Sequence, residues 1–399
     1  MQNKILSLLD FKKIKKSKGF SSLTAALLAI ALGLIFGFIV MLIARPSRAI
    51  PGFSKVLFGG FRRIGDVFYF ATPILMTGLS VGFAFKMGLF NIGASGQYSM
   101  GMFFALYAGF MFDLPDGIHW IVCILAGFLG GMIWGFIPGL FKAISNVNEV
   151  ITCIMFNYIG MYLVDMWVQS NGTMYVSSQT RTDYLPASAQ LPSLGIPNSN
   201  VNIGFIIAIL IAIVLYIILN KTIFGYELKA TGFNKFASKY AGINDKRNTI
   251  LTMVIAGGLA GLGGAFAILA PVSGIAGGSM TYEPINVIAA NGFNGIAVAL
   301  LGNSSPIGII FSAIFISHIQ RGGTLTALNG FKPEIIDIVI AVIIYFTAFS
   351  LLMKTALGNF INSHRRRKNR VEDENIGAPT SDDEVVVANQ EVRSEGEEA

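Results

Sequence analysis

The sequence predicts an all-α polytopic membrane protein with about ten transmembrane helices and both termini in the cytoplasm. Three observations carry this. Of the 399 residues, 53% are hydrophobic and only 13% are charged, a surplus of apolar side chains beyond what a soluble core needs. Long runs lack any charge: Phe20–Ala44, Met87–Phe112, Asn248–Tyr282 and Pro284–Gln320. A bilayer core takes roughly 20 apolar residues per helix, so the last two runs each hold a helix plus further membrane-embedded backbone. Finally, with the N-terminus placed inside, the basic residues concentrate in the segments that fall on the cytoplasmic side, as the positive-inside rule expects.

Residues 1–19 form a basic N-terminus in which Lys12, Lys13, Lys15, Lys16 and Lys18 precede an apolar run. That run is about twice the length of a signal-peptide core and no small-residue cleavage site closes it, so it reads as a retained first span. The spans are expected at about 20–44, 67–86, 91–112, 117–141, 148–168, 201–220, 248–270, 284–302, 305–320 and 333–353, which together make a transmembrane domain over 20–353. With the N-terminus inside, the cytoplasmic segments hold 20 basic residues and the outer ones eight. The loop at 45–66 disagrees, since it carries five basic residues on the outer side. Phe53, Val56, Leu57, Gly60 and Phe61 suggest an amphipathic helix there, lying in the headgroup region.

The outer loop 169–200 is rich in Ser, Thr, Asn and Pro and reads as a surface loop with little structure of its own. Asn171-Gly-Thr173 matches a glycosylation acceptor pattern too short and common to carry weight. Residues 354–399 form a cytoplasmic tail, first basic and then acidic. From Val371 onward it holds ten acidic residues and one Arg, a composition that reads as disordered. Cys123 and Cys153 sit inside apolar spans as packing residues rather than as a disulfide.

Catalytic signatures are absent from the sequence. No phosphate-cradling Gly-x-x-x-x-Gly-Lys-Ser/Thr occurs. His119, His318 and His364 have no carboxylate or Cys at metal-ligand spacing. Gly82-Phe-Ala-Phe-Lys86 reads as helix packing. A transport subunit therefore fits better than an enzyme, with no cofactor or metal held by this chain.

Polar residues inside the spans are more informative. Phe90-Asn91-Ile92-Gly93-Ala94-Ser95-Gly96-Gln97 interrupts a charge-free run, and a second break holds Asn286, Asn291, Gly292, Asn294 and Gly295. Non-helical backbone at membrane depth survives only against protein or a water-filled cavity, so these breaks should face the bundle interior. Two readings stay open: interhelical hydrogen bonding with close packing, or a substrate path lined by Asn91, Gln97, Asn291 and Asn294. Glu149 and Asn157 lie eight residues apart on one helix face, with Glu149 within reach of water or Lys142. Asp165, Glu334 and Asp337 lie near span ends, where a structural role is the simpler reading. No acid is placed deep in the bundle, which counts against an ion-driven carrier.

The insert at 221–247 is a basic, soluble-looking segment in an otherwise apolar chain. Phe233, Phe236, Tyr240 and Ile243 recur at spacings of three and four, which predicts one short amphipathic helix over 225–243. Such a helix either lies flat on the membrane or offers its apolar face to a groove on a partner.

Phe90-Asn-Ile-Gly-Ala-Ser-Gly-Gln97, Asn148-Glu-Val-Ile-Thr-Cys-Ile-Met-Phe-Asn-Tyr158, and Ala230-Thr-Gly-Phe-Asn234 followed by Tyr240-Ala-Gly-Ile243 resemble the permease subunits of ABC importers for simple sugars and nucleosides. The likeness runs from about residue 20 to 353 and is nearest to the nucleoside branch. Ser95 stands where the family often has an acid, and the acidic tail has no counterpart in the pattern. The resemblance implies a multi-pass protein of the bacterial plasma membrane. It further implies a cytoplasmic ABC ATPase that binds ATP and Mg, a second and non-identical permease subunit, and an extracytoplasmic substrate-binding lipoprotein. The insert then becomes the coupling helix, with Glu227, Phe233, Asn234, Phe236, Tyr240 and Ile243 toward the ATPase. The substrate path takes Asn91, Gln97, Asn157, Asn291 and Asn294. Alternatives are a ribose-like sugar permease of the same type and, from the paired helix breaks, an ion-coupled secondary transporter.

Overall fold

The computed structural model describes residues 18–196, 199–272, 278–332 and 334–347. Most of the N-terminal segment and the whole tail 354–399, with the expectations made for them, lie outside the described residues. Helices α1 (Lys18–Ala44) and α2 (Pro46–Phe58) lead through a 3-10 turn, Gly59–Arg63, into α3 (Ile64–Phe85). Next come α4 (Ala94–Met111), α5 (His119–Ser145), α6 (Glu149–Ser170) and α7 (Ile203–Lys221). The insert forms α8 (Ile223–Phe233) and α9 (Lys235–Tyr240). The last group is α10 (Asp245–Ile268), α11 (Ala290–Leu301), α12 (Pro306–Thr324) and α13 (334–347).

Asparagines fix many of the starts. The side chains of Asn148, Asn202, Asn234 and Asn244 each accept a hydrogen bond from a backbone N–H in the first turn of α6, α7, α9 and α10, satisfying donors that a helix N-terminus leaves free.

Among the described residues, six helical stretches are long and apolar enough to cross a membrane: Ala26–Ala44, Pro46–Phe85, His119–Ser145, Glu149–Ser170, Ile203–Lys221 and Asp245–Ile268. The chain is thus a polytopic helical membrane protein. One expected span is corrected. The run 284–302 is not a full-length helix, because only Ala290–Leu301 is helical, 12 residues, or about 18 Å against a hydrocarbon core of about 30 Å. Pro306 opens the next helix after a turn in which Asn303 and Ser304 take positive φ.

Helix α10 sits at the centre, packed against α3, α4 and α5. Glycine permits this. A Cβ added at Gly261 would stand 2.5 Å from the carbonyl oxygen of Gly127 and 2.8 Å from Cα of Gly131. Small residues let helix backbones touch where lipid supplies no hydrophobic drive for association. At the periphery, Gly33 and Gly37 of α1 meet Ile343 and Val339 of α13.

The loop 169–200 is more structured than its composition suggests. Tyr175–Val176 (β1) and Arg181–Thr182 (β2) pair antiparallel, and Met174, Thr182, Leu185, Ala189 and Leu191 are buried against the bundle. The leucines, alanine and methionine scattered between its polar residues anchor it. Ser188 bonds His119 Nδ1 at 2.8 Å.

Candidate functional site

The first polar break folds as a knot of amides. After α3 the chain turns through Gly88 (φ 75°), and α4 begins only at Ala94. Asn91 Nδ2 donates to Ser80 Oγ at 2.9 Å and to Gln97 Oε1 at 2.8 Å, while Gln97 Nε2 donates back to Asn91 Oδ1 at 3.1 Å. Asn157 on α6 accepts from the Gly96 N–H at 2.8 Å and donates to the Ile92 carbonyl at 2.9 Å. The three side chains are buried and bond one another, Ser80 and the irregular backbone. Their geometry suits holding the break open at depth, where unsatisfied backbone groups cost several kcal/mol.

The second break packs directly on the first. Ser95 Oγ donates to the Ala289 carbonyl at 3.0 Å, and Gly292 leaves room for Ser95 where a Cβ would collide with it. Asn291 Nδ2 donates to the Tyr98 hydroxyl at 3.0 Å, and the Asn291 backbone carbonyl accepts from Thr77 Oγ1 at 2.9 Å. Asn91, Gln97, Asn157 and Asn291 are therefore brought together across α3, α4, α6 and α11. Asn294 stands apart. It is half-buried and its amide makes no hydrogen bond among the described residues.

The contacts of Asp165 agree with the structural role expected for it. Near the C-terminal end of α6, it is 3% exposed. Its carboxylate accepts from the Tyr282 hydroxyl and from the Asn286 N–H, the latter at 2.7 Å. The extended segment before α11 folds over the helix end and shields it, so the acid latches that segment to α6. The sequence signal was an unpaired acid inside an apolar helix. Its partners lie more than a hundred positions away, and spacing could not find them. Glu149, by contrast, pairs with Lys142 at 2.8 Å, one of the two outcomes expected for it.

The insert also departs from expectation. It is two helices rather than one, because Asn234 (φ −153°, ψ 103°) ends α8 and caps α9. Asn234 Oδ1 accepts from the Ala237 N–H at 3.0 Å, and Glu227 Oε2 accepts from Asn248 Nδ2 at 3.1 Å, tying α8 to α10. These two residues shape the insert. Phe233 and Tyr240 are each 95% exposed and Phe236 is 78% exposed. Between the two helices runs an open groove of about 640 Å³, lined by Tyr226, Ala230, Phe233, Ala237 and Ile243 among others. On its other side α8 touches the bundle at the turn leading to the knot. A Cβ at Gly232 would stand 2.6 Å from the carbonyl carbon of Met87, and Thr252 of α10 donates to Met87 Sδ at 3.1 Å.

Helix α6 presents a further face that periodicity did not single out. Ile151, Met155, Tyr158, Tyr162 and Met166 are all exposed at spacings of three and four. The phenolic hydroxyls of Tyr158 and Tyr162 lie within the span, where lipid offers them no partner.

Residues 63–348 match the family model described as branched-chain amino acid transport system / permease component. The chain is 37% identical over 350 residues to the guanosine ABC transporter permease protein NupP of Bacillus subtilis, covering 86% of this chain and 97% of that protein. It is 36% identical over 342 residues to the nucleoside ABC transporter permease protein NupB of Lactococcus lactis, covering 83% of this chain and 92% of that protein. Over 303 residues it is 28% identical to the glucose ABC transporter permease protein TsgB13 of Haloferax volcanii, covering 72% and 77%. No solved structure matches the chain.

Proposed function

This chain belongs to the permease-component family of ABC transport systems, and on that premise we propose that it is the transmembrane permease subunit of an ATP-driven importer of nucleosides. The observation that carries the reading is the exposed surface of the insert: the open groove between α8 and α9, with Phe233 at its wall and Phe236 and Tyr240 exposed on α9, on an insert whose back packs on the turn before the amide knot. An ATPase seated there pulls on Gly232 and Met87, and so on Asn91, Gln97 and Asn157, as one body. Phe233, Phe236 and Tyr240 make the contact, with Ile243 at the groove wall; Glu227 and Asn234 hold the shape. ATP and Mg belong to that ATPase.

The charge distribution supports the insert and both termini on the cytoplasmic side, with ten membrane-embedded helices in all. The Met and Tyr face of α6 supports a second permease chain, packed so that Tyr158 and Tyr162 reach water or a partner's polar groups. Between the two chains runs the path, with Asn294 offering its amide to a polar, uncharged solute. A lipoprotein delivers that solute from outside. Nucleosides are favoured by the two relatives above 30% identity, described as guanosine and nucleoside permeases. The glucose permease relative favours a simple sugar as the second reading. An ion-coupled carrier leaves the aromatic groove without a role.

Uptake of labelled nucleosides and sugars by cells lacking the gene, and by the same cells complemented with it, tests the proposal. Restored nucleoside uptake that stops on ATP depletion but not on collapse of ion gradients is expected. Restoration of sugar uptake alone selects the second reading.

A further inference from the structure

Helix α2 is a surface element with three distinct sides. At roughly 100° per residue, Ala49, Gly52 and Val56 form the side turned inward, and all three are buried. Gly52 lies against Phe331 and Met41. Opposite them, Ile50 and Phe58 stand 71% and 61% exposed, and Phe61 of the following turn 64%. One flank carries Phe53 and Leu57. Phe53 packs, its ring tilted, against Phe38 of the spanning helix α1 with ring centroids 5.0 Å apart, which puts that flank at the edge of the hydrocarbon. The other flank carries Arg48 and Lys55, and Arg62 follows at the same seven-residue interval.

The cations are unequal. Lys55 donates to Asn329 Oδ1 at 2.8 Å, and Arg63 lies 3.6 Å from Asp66. Arg48 and Arg62 are exposed and make no ion pair among the described residues. The element is tied to α12. His318 Nε2 donates to the Leu57 carbonyl at 2.8 Å, and the His318 ring packs on Phe61. A fixed helix about 20 Å long, apolar toward the bilayer and cationic beside it, matches a layer of phosphodiesters above acyl chains.

We infer that α2 is a binding surface for the headgroups of anionic glycerophospholipids, with Arg48 and Arg62 holding the phosphates and Ile50, Phe58 and Phe61 inserted among the acyl chains. An acidic protein surface fits the arginines but leaves those three apolar side chains without a matching environment, and Phe53 already places the helix at the lipid boundary. Both guanidinium groups offer the forked donors that suit a phosphate.

Ser54, exposed between Ile50 and Phe58, is the place to read this out, since the two native cysteines are buried. The full chain with Ser54→Cys carries an environment-sensitive dye in nanodiscs of phosphatidylcholine with increasing phosphatidylglycerol. The dye emission is expected to shift blue as phosphatidylglycerol rises and to revert in high salt. In Arg48→Gln/Arg62→Gln the half-saturating phosphatidylglycerol content rises by about fivefold per arginine removed, with the melting temperature unchanged because both positions are at the surface. Identical emission in the two lipids overturns the inference, as does an unchanged response in the double variant. Should the double variant keep its lipid response and instead release an external binding protein, the surface is a protein dock and the inference fails. None of these outcomes depends on which solute is carried.

Discussion

The exposed phenylalanine at the end of α8 separates the stability of this chain from its coupling to a motor. Phe233 is 95% exposed, so replacing it with Ala or Asp removes almost no contact within the chain, and surface substitutions of that kind stay within about 0.5 kcal/mol. In a docked complex the same ring becomes a buried aromatic anchor. Truncating such an anchor costs about 2 kcal/mol or more, about thirtyfold in affinity, and an Asp there adds the penalty of a buried unpaired charge. Phe233→Ala is therefore expected to weaken ATPase capture about thirtyfold and Phe233→Asp to abolish it, while the melting temperature of the chain alone does not move. The assay titrates the purified ATPase against the chain in nanodiscs, with thermal unfolding and solute uptake measured in parallel. Wild-type affinity and uptake in both variants would refute the docking argument and return the insert to a helix pair lying on the membrane. A fall in affinity together with a fall in melting temperature would also count against it, since the ring makes too few contacts here to support both.

Asn157→Leu strips the partners from the Gly96 N–H and the Ile92 carbonyl, at about 1–3 kcal/mol for each buried group left unsatisfied. It should lower both the melting temperature and uptake while ATPase capture in the same titration stays intact. Asn294→Leu, which breaks no hydrogen bond among the described residues, should reduce uptake without changing the melting temperature; normal uptake would remove Asn294 from the path. Tyr282→Phe should destabilise by about 1 kcal/mol, and a double-mutant cycle of thermal unfolding with Asp165→Asn should show the two effects to be coupled. A chain ending at Arg370 should transport at the wild-type rate in the uptake assay, because the acidic segment holds too few apolar residues to pack.

What the sequence made legible divides along a physical line. Charge-free length is a local property, so the helices were found from it, and the polar breaks at 91–97 and 291–295 were placed inside the bundle because amides at that depth must meet protein or water. The boundaries that failed depend on partners remote in sequence. For Asp165 the structural role was anticipated but its partners were not, because Tyr282 and Asn286 are invisible from its own helix. The run 284–302 read as a span because apolar composition does not distinguish a helix from an extended lead-in. The aromatic stripe at 233–243 was real as exposed surface and wrong as one helix, since an Asn at its centre serves equally as a solvated residue or a cap. The amides make the same point from the other direction. Asn91, Gln97 and Asn157 were marked as path residues for their chemistry, and in the structure they hydrogen-bond one another, Ser80 and the backbone of the break. A residue that meets a solute must have hydrogen-bonding capacity left over: Asn294 makes no hydrogen bond among the described residues, and the Asn291 side chain makes one, to Tyr98.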